Sequence, residues 1–111
     1  MKEDLEKLKA YILSYRDEFK NSDDETMGMI ESDIACKVFS FLAKYELKAG
    51  DWDFKQFMID DENELTDGTI AMKYGNLDFD VTDRKVECDP AVAEIIEFWT
   101  KTFWDYDEDQ E

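Results

Sequence analysis

The chain has 111 residues, 43% hydrophobic and 39% charged, with a formal net charge of −17. That is apolar material for one core, in a chain too short for two, so residues 1–111 read as a single domain. The charge excludes nucleic acid and anionic membranes as direct partners, because both are bound through Lys and Arg clusters.

The acid is unevenly spread. Residues 1–50 hold 8 basic and 11 acidic side chains, whereas residues 51–111 hold 5 and 19. A net of −3 in one stretch against −14 in the other predicts an acidic face or end that meets a basic protein. The opening MKEDLEKLK is charged and lacks the apolar segment of a secretory leader, and no run reaches the roughly 18 apolar residues of a membrane span. A cytoplasmic location follows as the expectation, with Cys36 and Cys88 as reduced, buried thiols.

In chain order, Leu5, Leu8, Ile12, Tyr15 and Phe19 recur at three- and four-residue intervals and predict an amphipathic helix. NSDDE at 21–25 stops it and supplies caps for a second helix carrying Ile30, Ile34, Val38, Phe41, Leu42 and Tyr45, which Gly50 ends. The two are expected to pack as an antiparallel pair. Residues 51–65 fit a helix through Phe54, Phe57, Met58 and Leu65, but WDFKQFMI also fits a strand, and the reading favours a strand or irregular segment.

From 69 to 81 the period becomes two: Ile70, Met72 and Tyr74, then Leu77, Phe79 and Val81 alternating with Asp78 and Asp80. With Gly75-Asn76 between the runs, this predicts a β-hairpin with one wet face, followed by a short third strand at 86–88. Asp89-Pro90 reads as a cap and first helical residue, opening a closing helix striped with Val92, Ile95, Ile96, Trp99 and Phe103. Two N-terminal helices, a small antiparallel sheet and a C-terminal helix make an α+β fold, its acidic tail frayed from about residue 107.

Little chemistry is visible. There is no histidine, which removes Ser/His/Asp and Cys/His catalysis, and no glycine-rich phosphate loop. Neither cysteine belongs to a CxxC pair, so no zinc site is expected. NELTDGTI at 63–70 echoes an EF-hand, but with Gly68 in sixth place Leu65 and Tyr74 fall where oxygen ligands belong. Asp67-Gly68 reads instead as a turn into a strand. No cofactor and no metal are expected, and the chain is read as not an enzyme.

The acids remain. On the expected hairpin, Asp78 and Asp80 would stand about 6.6 Å apart, close to two axial phosphate steps of about 3.4 Å each. Asp83 and Glu87, then Glu94, Glu97, Asp105, Asp107 and Glu108, continue the pattern, with Trp104 and Tyr106 as aromatic anchors among them. In size and charge, though in no motif, the chain resembles the small acidic inhibitors of phages and mobile elements, including DNA-mimicking antirestriction and anti-CRISPR proteins. The expected function is a non-enzymatic inhibitor that blocks a basic, nucleic-acid-binding groove of a target enzyme. The alternatives are an immunity protein neutralising a cognate toxin and a small acidic accessory domain.

Overall fold

A computed structural model describes residues 1–62 and 66–104. Its helices are α1 (Lys2–Ser14), α2 (Arg16–Lys20), α3 (Asp24–Lys44), α4 (Phe54–Glu62), α5 (Asp67–Thr82) and α6 (Pro90–Trp104). No strand occurs among the described residues, so the α+β expectation is overturned in favour of a helical fold. No described helix is long and apolar enough to cross a membrane.

The first amphipathic stretch folds as expected, interrupted at Tyr15 between α1 and α2, and buries Leu5, Leu8, Ile12 and Phe19. Asp23 caps α3 by accepting from the Thr26 amide at 2.9 Å. α3 packs on α1, α2, α4 and α5, so its apolar stripe is the centre of the core. α6 lies along α1 and α2 and also against α5. Its stripe Val92, Ile95, Ile96, Trp99 and Phe103 is fully buried, with Phe103 stacked on Phe19 at 4.4 Å between centroids.

The hairpin is a helix. Ile70, Tyr74, Leu77 and Val81 are spaced by four, three and four residues and are all buried, which is the stripe of an α-helix. The same segment carries both periods, and packing on α3 and α6 selects the helical one. Thr66 opens α5 by accepting from the Thr69 amide at 3.1 Å, so Asp67-Gly68 begins a helix instead of turning into a strand. Gly75 sits mid-helix and Asn76 is exposed, with nothing within 4 Å of a Cβ built on Gly75.

Residues 54–62 are also helical, contrary to the favoured strand. Asp53 caps α4 through the Gln56 amide at 3.0 Å, and Phe54 and Phe57 are buried. The expected strand at 86–88 amounts to one antiparallel bridge between Ala49 and Cys88.

That bridge pins two loops together. Gly50 N–H donates to the Glu87 carbonyl at 2.8 Å and Asp89 N–H to the Lys48 carbonyl at 2.9 Å. Gly50 has φ +54°, and a Cβ there would stand 2.7 Å from Val86 Cγ1. Gly50→Ala is therefore expected to destabilise the fold by about 2 kcal/mol, read as a lower urea midpoint; an unchanged midpoint would mean that this loop pairing contributes little.

A second tie joins α1 to α3. Asp4 accepts from the Tyr45 hydroxyl and from Lys44 Nζ, the latter at 2.9 Å. These bonds, the tyrosine's first, hold the Asp4 carboxyl down at about 2, against 3.8 ordinarily. A carboxylate depressed in the folded state stabilises it above the unfolded value and loses that contribution as pH falls through the folded one. Wild type and Asp4→Asn should thus differ in urea midpoint near neutral pH and converge as the pH approaches about 2. A gap that persists there would refute the assignment.

Candidate partner-binding surface

The pinned loops set the acidic end. The loop after α3 brings Asp51 and Asp53, and the loop after α5 brings Asp83 and Glu87, all exposed. Lys48 N–H donates to Asp89 Oδ2 at 2.7 Å, so Asp89 fastens one loop to the other. Lys48, Arg84 and Lys85 stand in the same loops. Glu46 is held by Lys55 at 2.9 Å, a solvent-exposed pair that contributes little.

The structure separates the acids that the hairpin reading aligned. In a helix Asp78 and Asp80 are turned about 200° from one another, and they have different partners. Thr100 Oγ1 donates to Asp78 Oδ1 at 3.0 Å, and the Trp52 indole N–H to Asp80 Oδ2 at 3.0 Å. Both aspartates are half-buried and tie α5 to α6 and to the 46–53 loop. The match to phosphate spacing fails with the strand on which it depended.

The remaining acids are scattered over two elements. Asp83 is the exposed C-terminal cap of α5, and Glu87 is exposed in the pinned loop. Glu97 is exposed on α6, and with Arg84, Lys85 and Glu87 it borders the hollow around Cys88. Glu94, one turn earlier on α6, is paired with Lys9 of α1 at 2.5 Å. Phe98 is half-buried beneath the same lysine, whose ammonium lies 5.6 Å from the ring centroid. The Trp104 side chain and the residues Asp105, Tyr106, Asp107 and Glu108 lie outside the described residues.

The sequence reading missed a groove. α4 and α5 both pack on α3, and between them opens a hollow of ≈ 630 Å³. Its lining includes Trp52, Phe57, Phe79 and Val86, together with Asp51, Asp53, Asp80 and Lys73. The sequence signal was the stretch DWDF at 51–54, two acids around a tryptophan at a helix start. A second signal was the pair Met72 and Phe79, left over once the buried stripe of α5 is assigned.

Reactive chemistry is sparse here. The Cys88 thiol is pushed up by burial, and Asp89 and Glu97 push it further, so it stays protonated at neutral pH. Cys36 and Cys88 are both half-buried and not joined in a disulfide. Among the described residues no cluster of three or more Cys, Asp or Glu side chains is arranged to hold a metal ion. No family model, curated protein or solved structure matches this chain.

Proposed function

We propose that this protein is a non-catalytic inhibitor that occupies a basic, nucleic-acid-binding groove of a target protein with its carboxylates. The observation that carries the reading is the charge of −17 together with exposed carboxylates on the α5 end, the following loop and α6. Ion pairs among the described residues engage Glu3, Asp4, Glu46 and Glu94. Asp51, Asp83, Glu87 and Glu97 are exposed and take part in none of these pairs. A field of this sign concentrates basic partners and speeds their docking. The acids of the α5 end, the following loop and α6 are the contact surface in this reading.

The half-exposed Phe79 and the aromatic groove favour a second reading, an immunity protein that holds one toxin through an apolar anchor. Salt separates the two. The protein is immobilised, exposed to nuclease-treated lysate of its source organism, and eluted with a salt gradient; any captured partner is then challenged with duplex DNA and RNA. The decoy reading expects release at moderate salt and competition by nucleic acid. A partner retained at high salt and indifferent to nucleic acid supports the immunity reading. If no partner is captured, the decoy is set aside and the accessory domain stands.

A further inference from the structure

On α5, Met72, Asn76, Phe79 and Asp83 recur at four, three and four residues and so share one face, opposite the stripe that α3 and α6 bury. Met72 is 67% exposed and Phe79 51%. Isolated exposed apolar residues are ordinary on a surface, but Phe79 is continuous with the groove formed by Trp52, Phe57 and Val86. An apolar recess beside exposed aromatic surface marks an interaction site.

The lining selects the occupant. Asp51 and Asp53 before α4 and Asp80 on α5 line the groove with one basic residue, Lys73 of α5, an excess of carboxylate. Two of these acids are held in place from within: Asp53 Oδ1 accepts from the Gln56 amide and Asp80 Oδ2 from the Trp52 indole, each at 3.0 Å. Each carboxylate has a second oxygen to offer an incoming donor. The Phe79 ring already serves as a platform for a cation, with Lys85 Nζ 4.8 Å from its centroid. A second copy of this chain is a poor occupant, because two bodies of charge −17 repel.

We propose that the α4–α5 groove is the anchor site for a Lys/Arg-rich amphipathic helix of the partner. One apolar side chain enters between Phe57, Phe79 and Trp52, and the flanking basic side chains meet Asp51, Asp53 and Asp80. The inference rests on the reading that the partner is basic, and it adds that one apolar anchor, beyond charge, sets affinity.

The test uses two helical peptides of identical charge, one of Leu and Lys with leucine at helical spacing, the other with every Leu replaced by Ala. Each is titrated into the ¹⁵N-labelled full chain. The Leu/Lys peptide should shift the amides of residues 51–57 and 73–80 and the Trp52 indole N–H. It should also bind about tenfold tighter than the Ala/Lys peptide. Phe79→Ala should erase that preference while circular dichroism stays unchanged, and Asp51→Asn should weaken both peptides alike. Equal affinity of the two peptides, or shifts confined to α6 and the 83–89 loop, overturns the groove and leaves the basic-partner reading in place. Failure of both peptides to bind at low salt overturns that reading as well.

Discussion

Phe39→Ala is expected to lower the unfolding free energy by about 3–5 kcal/mol, out of the roughly 5–15 typical of a domain. Phe39 is fully buried on α3, and its ring stacks on Phe57 at 3.9 Å and lies 5.6 Å from Phe54 and 6.1 Å from Trp52. Those three residues are the apolar attachment of α4 and of the loop before it. α4 has nine residues, too few to stay helical without tertiary support. The variant should therefore lose hydrogen-exchange protection in α4 before α1 and α6, in addition to its lower urea midpoint. A loss below about 1 kcal/mol would mean that α4 is held by something other than this cluster. Phe79→Ala is the internal comparison: its ring is half-exposed, and its removal should shift the midpoint far less.

Reversing Asp83, Glu87 and Glu97 to Lys is expected to slow association with the target by at least about tenfold at low salt and to flatten its salt dependence. The fold should survive, because all three are exposed and surface changes seldom exceed about 0.5 kcal/mol each. Lysine at position 83 even suits the negative end of α5. Association rates at several ionic strengths, with circular dichroism on the same samples, decide the matter. Unchanged rates for the folded triple variant would remove this surface from the inhibitor reading. Reversing Asp78 and Asp80 would be a poor test of binding. Each accepts a hydrogen bond that joins two elements, and breaking such a bond to a charged group costs about 1.5–3 kcal/mol. Lost inhibition by that variant would report damage to the fold.

The charge asymmetry on which the proposed partner surface rests is legible in the sequence. Composition alone places the excess acid after residue 50 and argues for a basic partner. Which carboxylates face outward depends on backbone geometry. Alternate residues share a face in a strand and lie on nearly opposite sides of a helix, so one change of secondary structure turned Asp78 and Asp80 from display to tethering. The groove was hidden for a different reason. It exists because α4 and α5 lean on α3 side by side, and no local pattern encodes the gap between them.

Helices α3 and α6, and the helical stretch that breaks at Tyr15 into α1 and α2, could be read directly, since a stripe recurring every three or four residues is a local property with one geometric solution. Leu5, Ile12, Ile34, Val38, Ile95 and Trp99 are buried as that spacing requires. Residues 70–81 admit two solutions, because Ile70, Tyr74, Leu77 and Val81 belong to the helical stripe and also to the alternating one. A strand needs a partner edge to satisfy its amides, and no strand lies beside this segment among the described residues. A helix satisfies its amides internally and offers the four side chains together to the core that α3 and α6 provide. The sequence carried both periodicities, and contact with residues far along the chain selected one of them.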